Sequence, residues 1–583
     1  MGEDRYELDS FNSTPADMST ATPDSNFYDV EDRQGKSGTK VEQESFEGAE
    51  QEDLELDLRD PHTFPLVLAS LWTSSALSAL DGTIVSTTIN DVASRFQQAS
   101  LVTWVATSYL LTTCSAQPLY GKISDIIGRR KCLLFGQFVF AIGIIFCSVA
   151  RTIPQLAIAR AICGIGGSGT SAMTNIILSD MVPLSERAKY WGYGSVLWAI
   201  FQSIGGPLGG ILLEYFGVSG LFIPQIPFCI APLYLSWKYV WDYNEDTKKS
   251  WKKIDFGGSL CLLLMISSFI VLLSNNNDGS LEHVSWPPHK KASLVIFVSS
   301  LLTFAFVENY VAVENIIPFS VIKGTLGLVA IIYGLVALIN YTCLFVVPLY
   351  LQLIWGVSVS QSGWYIMCVV ISSAAGALWS GWIVKKFSNT DRHATIYYSA
   401  VLLFLMTLLT LFGYAGIYQA VRNSSPVMAG DKINPFFNVR MIFGISTLGF
   451  SQGSQNVTVM LFNVAKVGRK GQASSTSVNF LFRSLGNVLS VSIALTMFTN
   501  SLRGELSEAL LGKDDDLLLT LLKDNAYLRS PSMPATHIKT IMDAFRKSLL
   551  NSFLPCRWSV ILNVLFGIFL LIVVNRKLRR IIT

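Results

Sequence analysis

The chain has 583 residues, of which 51% are hydrophobic and only 15% charged, a balance too apolar for an ordinary soluble globular protein of that length. Its net charge of +3 is small, so the side on which charge sits tells more than the sum. The 9 cysteines are scattered through apolar segments without metal or disulfide spacing, and the 5 histidines fall in the tail or in polar connections, so no metal and no intramembrane histidine proton carrier is expected.

Residues 1–60 are rich in Asp, Glu, Ser and Thr and read as a disordered, acidic cytosolic tail. They are too polar and acidic for a secretory or mitochondrial leader, so the first hydrophobic segment is expected to remain as an anchor. From Phe64 onward, apolar runs long enough to cross a bilayer as helices recur at 64–89, 101–121, 132–150, 156–180, 191–213, 219–240, 256–274, 292–312, 326–353, 361–385, 394–418, 437–464, 474–499 and 557–575. They predict an all-α membrane protein with fourteen spans. The spans divide as six (64–240), two intervening (256–312) and six (326–575). If the spans alternate in direction, GRRK at 128–131, ERAK at 186–189, KKSWKK at 248–253, VGRK at 467–470 and the basic tail 576–583 share one side, which the positive-inside rule makes cytosolic. On the other side lie the sequon at Asn423, a candidate glycan acceptor, and a long loop at 500–556 whose helical patches suggest a small cap.

Within these spans the costly or conformationally special residues stand out. Asp81, in Leu80-Asp81-Gly82-Thr83-Ile84-Val85, sits deep in an apolar run, where a carboxylate is either an ion- or proton-exchanging group or a structural acid bonded to a neighbouring helix. Between the second and third spans, Gly121-Lys122-Ile123-Ser124-Asp125-Ile126-Ile127-Gly128-Arg129-Arg130-Lys131 sets two glycines and an acid at fixed offsets from a basic cluster. Gly121 is expected to allow close helix approach, Gly128 a tight turn, and Asp125 to pair with Arg129 or cap a helix. In the fourth span, Arg160 precedes Gly164-Ile165-Gly166-Gly167-Ser168-Gly169, a run that formally spells a dinucleotide fingerprint but lacks the preceding strand. The glycines therefore read as helix packing, and Arg160 as a cation needing a partner or snorkelling to the surface. In the fifth span Gly205-Gly206-Pro207-Leu208-Gly209-Gly210 predicts a bent, tightly packed helix. Later polar residues, Asn340, Gln352, Gln452, Asn456, Asn479 and Arg483, are candidate cavity residues, with helix-to-helix hydrogen bonding as the alternative for the amides. Glu308 is expected at the interface.

Together these motifs resemble the major facilitator superfamily. The 121–131 loop matches its G-x-x-x-D-x-x-G-R-R/K signature, with Asp180 in the place of the usual acidic partner, and the resemblance implies a cytosolic gate. Arg160 to Gly164 resembles the superfamily's R-x-x-x-G element, whose arginine is implicated in proton coupling. The 205–210 run resembles the antiporter element G-P-x-x-G-G with its proline one place late. L-D-x-T-I-V at Asp81, D-x-x-G at Asp255, P-L-Y-L-Q at Pro348 and R-x-x-G at Arg483 are similar to elements of the drug:proton antiporter branch with fourteen spans. Within that branch, W-V-A-T-S-Y-L-L-T from Trp104 to Thr112 and the motifs above look most like fungal vacuolar basic amino acid transporters. The resemblance implies proton-coupled export of Lys, Arg or His into a vacuole, with Asp81 and Arg160 in coupling or binding; a plasma-membrane multidrug or siderophore antiporter is the alternative. An enzyme is disfavoured, since no nucleophile–base pair or nucleotide loop is visible. The expected partners are the lipid bilayer, protons and a small-molecule substrate; no cofactor or nucleic acid is expected.

Overall fold

The structure, a computed structural model, describes residues 62–98, 101–182, 184–241, 256–273, 288–311, 324–388, 392–423, 435–467, 469–510, 515–529, 533 and 538–582. The acidic tail and Asp255 lie outside these residues, as do the partners of Asn423 in its sequon and the side chains of Asp125 and of the basic tail from 577. Asn423 itself is exposed at a helix end.

The described residues form helices and no strands, as a bilayer requires of a chain whose backbone must satisfy its own hydrogen bonds. They are α1 (Phe64–Arg95), α2 (Val102–Ile127), α3 (Arg129–Val149), α4 (Ile153–Met181), α5 (Leu184–Phe222), α6 (Gln225–Tyr239), α7 (Phe256–Leu273), α8 (Pro288–Phe306), α9 (Thr325–Trp355), α10 (Val359–Ser388), α11 (Arg392–Asn423), α12 (Pro435–Val467), α13 (Arg469–Leu510), α14 (Asp515–Lys523), α15 (Ile538–Ser552) and α16 (Leu554–Ile582). Helices α1–α13 and α16 overlie the expected spans. Eight stretches among the described residues are long and apolar enough to cross a membrane by length and composition alone. Helix α1 falls short of that test because it buries Ser70, Ser74, Asp81, Thr83, Ser86, Thr87 and Thr88, which lower its average hydropathy without exposing a polar face. Several helices overrun their expected spans; α5 continues to Phe222 and bends at Gly217, whose φ of 69° suits a residue without a side chain.

The pairing of helices is repeated. In the first group α1 packs on α5 and α6, α2 on α4, and α3 on α4 and α6; in the second α9 packs on α13 and α16, α10 on α12, and α11 on α12 and α16. Reading α1–α6 onto α9–α13 and α16 in order converts one set into the other. The two main contacts between groups, α5 on α10 and α2 on α13, exchange under the same mapping. Such a repeat is the architecture in which one bundle rocks against its twin. Each group is glued internally by buried amides and hydroxyls. Gln137 of α3 donates to Ser74 of α1 (2.7 Å) and Ser236 of α6 (3.0 Å), and Gln455 of α12 donates to Thr410 of α11 (3.1 Å) and Ser451 (3.0 Å). Outside, large apolar side chains such as Phe138, Phe146, Ile158, Phe412, Phe443 and Phe569 are exposed, a surface suited to hydrocarbon.

Glu308 is buried in the π-helical turn Val307–Val311 that ends α8 and packs on α7. The 500–556 segment supplies the end of α13, the amphipathic α14 and α15, and a 3₁₀ turn, Asn525–Arg529, that touches both α1 and α9. From that turn Arg529 donates through Nε to the Leu353 carbonyl (2.9 Å) and through Nη2 to that of Ile354, while Gly356 ends α9 in the left-handed region (φ 65°). A cation on the last carbonyls of a helix satisfies acceptors and opposes the helix dipole, although burial holds the guanidinium below its usual pKa. Arg529→Ala is expected to destabilise the protein by about 1–3 kcal/mol, seen as a lower thermal unfolding midpoint in detergent; an unchanged midpoint would show the cap to be dispensable.

Candidate functional site

Asp81 lies midway along α1, fully buried. Across from it, Arg160 comes from α4, and its Nη1 donates to Asp81 Oδ2 at 2.5 Å, with side-chain exposures of 1% and 0%. The snorkelling alternative for Arg160 is thus replaced by a buried ion pair. The guanidinium also lies over the Tyr109 ring of α2, 4.4 Å from its centroid, and the Tyr109 hydroxyl is 2.8 Å from Ser78 Oγ, one turn before Asp81. Asp81 Oδ1 and Arg160 Nε have no hydrogen-bond partner among the described residues.

The glycine run of α4 makes this geometry accessible. A Cβ at Gly164 would meet Thr112 Oγ1 at 2.1 Å and the Tyr109 carbonyl at 2.4 Å, and one at Gly166 would meet the Phe140 backbone nitrogen at 2.2 Å. Bare backbone therefore lets α4 lie against α2 and α3, and Thr112 Oγ1 donates to the Ala161 carbonyl (2.9 Å) across the first contact. The run is a packing surface rather than a phosphate cradle.

Glycines of α5 work on two faces. Gly205 and Gly209 face α1, where their Cβ atoms would stand 2.8 Å from the Leu80 carbonyl and 3.2 Å from Ile84 Cα, beside Asp81. Gly206 and Gly210 face α10 of the second group, where Cβ atoms would stand 2.8 Å from Gly363 Cα and 2.2 Å from the Ser360 nitrogen. Ser360 Oγ donates to the Pro207 carbonyl (3.3 Å), and Gln352 of α9 donates to the Thr87 carbonyl of α1 (2.8 Å) and to Ser362 Oγ (2.9 Å). The two groups are thus closed tightly at the end away from the Lys/Arg-rich connections.

At the opposite end Gly128 makes the expected turn with φ 101°, and Arg129 donates to Asp180 at 3.1 Å and to Ser124 at 2.6 Å. Arg130 donates to the Trp237 carbonyl and lies over Trp241. Among the described residues nothing lies within 4 Å of where a Cβ of Gly121 would be, so the expected close approach is not seen there.

In the second group Arg483 Nη1 donates to Tyr333 Oη of α9 (3.3 Å) and the guanidinium lies over Phe480. Asn479 is buried on the same helix, and Asn456 is half-buried on α12. Asn340 donates to the Val336 carbonyl (2.9 Å) and faces a small, mainly apolar void with Cys343 and Ile445, and Gln452 is half-buried without a place in these clusters. Sequence reasoning missed Tyr109 and Asn487. Asn487 was detectable as the next member of a polar series spaced by four residues within an apolar helix, after Asn479 and Arg483; no spacing rule reveals that Tyr109 carries Arg160.

Residues 71–491 match the Major Facilitator Superfamily. The chain is 32% identical over 514 residues to "Vacuolar basic amino acid transporter 1" of Saccharomyces cerevisiae, covering 84% of this chain and 89% of that protein. It is 29% identical to "Multidrug resistance protein fnx1" of Schizosaccharomyces pombe, over 82% of this chain and 87% of the relative, and 28% identical to "Vacuolar basic amino acid transporter 2" of Saccharomyces cerevisiae, over 80% and 98%. Among solved structures, the bacterial homolog to human lysosomal transporter Spinster superposes with a TM-score of 0.55 at 15% identity, over 88% of this chain and 97% of that one, a likeness of fold. With the repeated six-helix groups, the matched profile and relatives of nearly full length, the chain belongs to the major facilitator superfamily of membrane-spanning secondary transporters.

Proposed function

We propose that this protein exchanges protons for basic amino acids, carrying Lys, Arg or His from the cytosol into the vacuole by alternating access between the bundles at 64–240 and 326–575. The observation that carries the reading is the Asp81–Arg160 pair, with no exposure to solvent at the carboxylate and one carboxylate oxygen without a partner. Arg160 is a permanent cation and keeps Oδ2 occupied. Oδ1 is then left for a second positive group, a proton or the ammonium of a substrate, and a single carboxylate cannot neutralise both beside a fixed guanidinium. Mutual exclusion at one oxygen is the physical core of antiport. Gly205 and Gly209 of α5 lie against the turn of α1 that carries Asp81, and Gly206 and Gly210 lie against α10, so occupancy at Asp81 reaches the contact between bundles through one helix. At the other end, Gly121, Asp125, Gly128, Arg129, Arg130 and Asp180 form the cytosolic gate in this reading, and Asn340, Gln352, Asn456, Asn479 and Arg483 contribute to the path between bundles.

The substrate class and the vacuolar membrane are favoured by the two relatives named for vacuolar basic amino acid transport. A second reading, drug efflux at the plasma membrane, has the multidrug-named relative in its favour. The test is uptake of labelled lysine and arginine by energised vacuolar vesicles with and without the protein. Saturable uptake that a protonophore collapses is the expected result. Uptake no greater than in vesicles lacking the protein would remove the substrate assignment and leave the efflux reading.

A further inference from the structure

Among the described residues Arg483 is a cation without an anion. It sits about 14 residues, or ~21 Å, into α13, in the zone where a charged side chain is costly unless matched. None of the ion pairs among the described residues includes it, and its recorded polar contact is the 3.3 Å bond to Tyr333. A guanidinium has five donors, so most of its capacity is unspent. The buried acids among the described residues are Asp81, already held by Arg160, and Glu308, in the turn that ends α8.

The direction in which Arg483 faces follows from the contacts of α13. Gly486 and Phe482 lie against Gly334 of α9; Ser484 Oγ is 3.3 Å from Gln117 of α2; Leu481 and Val488 pack with α2 and α7. At 100° per residue, Asn479, Arg483 and Asn487 fall on the remaining face, turned away from α7 and between the contacts with α9 and α2. That face therefore lies between α9 of its own bundle and α2 of the other. One turn further on, Asn487 is 6% exposed, and its Oδ1, an acceptor, has no partner among the described residues. Tyr341 of α9, in the same bundle as Arg483, lies within electrostatic range of both Arg483 and Tyr109 of the first bundle, and Tyr109 in turn carries Arg160.

We infer that Arg483 is the receptor for the α-carboxylate of the transported amino acid, on the bundle opposite the Asp81 site. The inference rests on the amino acid reading above and adds to it a division of labour: the substrate's positive charge goes to the first bundle and its carboxylate to the second. An arginine fork matches a carboxylate in two parallel hydrogen bonds. A zwitterionic or cationic amino acid would then span the two bundles and draw them together, whereas a diamine of equal positive charge would engage one bundle only.

The test is equilibrium binding of radiolabelled lysine and of cadaverine, which is lysine without its carboxyl group, to the full-length protein in nanodiscs. Wild-type protein is expected to bind lysine roughly 10- to 100-fold more tightly than cadaverine, the scale of a charge-assisted carboxylate contact. Arg483→Gln should lower lysine affinity by a similar factor and leave cadaverine affinity unchanged, and Arg483→Lys should retain part of the preference. Equal wild-type affinities for the two ligands overturn the inference without any variant having to fold, as does an Arg483→Gln protein that loses lysine and cadaverine in proportion. In both of those outcomes lysine still binds the wild type and the basic amino acid reading stands; wild-type protein that binds no lysine, arginine or histidine overturns that reading and this inference with it.

Discussion

Asp81→Asn is expected to lower transport by roughly 100-fold or more, the scale of removing a proton-transferring side chain, and to destabilise the protein at the same time. The second effect follows from the pair's burial: with exposures of 0% and 1%, neutralising Asp81 leaves the Arg160 guanidinium in an apolar interior with only the face of Tyr109 for compensation. Breaking a buried pair from one side costs about 3–5 kcal/mol, whereas replacing both partners by neutral groups is often close to neutral. Arg160→Gln alone should therefore be as damaging as Asp81→Asn, and the double variant Asp81→Asn/Arg160→Gln should recover most of the thermal stability while remaining inactive. Unfolding midpoints of the four proteins in detergent, set beside their uptake rates, separate the two roles. Additive stability losses in the double variant would mean that the two charges are not energetically coupled. A double variant that regains proton-driven uptake would show the pair to be structural.

What the amino-acid sequence disclosed about this site follows from how local each signal was. The turn at Gly128 was legible because a positive φ is a property of one residue; the family resemblance marked Asp180 as the acidic partner of the loop, while Arg129, expected beside Asp125, is the residue that meets it. Asp81 and Arg160 were each conspicuous as charges in apolar runs, but their meeting depends on how α4 lies on α1 and α2. The glycines at 164 and 166 permit that approach without specifying a partner. Gly121 shows the converse. A glycine in a signature loop invites a packing explanation, yet among the described residues nothing lies within 4 Å of its Cβ position. Tyr109 lay beyond sequence reasoning because an aromatic ring in an apolar helix looks the same whether it packs against leucine or carries a guanidinium.

Gly210→Ala and Gly363→Ala are expected to lower transport by at least about 10-fold while leaving each bundle folded. A Cβ on residue 363 would lie 2.3 Å from the Gly206 carbonyl carbon and 2.4 Å from the Pro207 nitrogen, and one on residue 210 would lie 2.2 Å from the Ser360 nitrogen. The obstructing atoms are backbone, so no side chain can rotate out of the way, and the helices themselves must part. At a contact between two bundles that rock, parting is an available state, namely the arrangement open at this end. A clash of about 1–3 kcal/mol moves a two-state equilibrium by 5- to 150-fold. A transporter held in one arrangement does not cycle. Gly166→Ala provides the contrast: its Cβ would meet the Phe140 backbone at 2.2 Å between α4 and α3, inside one bundle where no second arrangement exists, so loss of folded protein is the expected result there. The shift can be read with a cysteine at Gln352, which is 8% exposed at the closed end; the native cysteines are buried except for the half-buried Cys368, so background labelling is low. In the Gly210→Ala background this cysteine should react faster with a membrane-impermeant thiol reagent applied from the face opposite the basic connections. Inactive protein with an unchanged labelling rate would place the damage inside a bundle rather than at the contact between them.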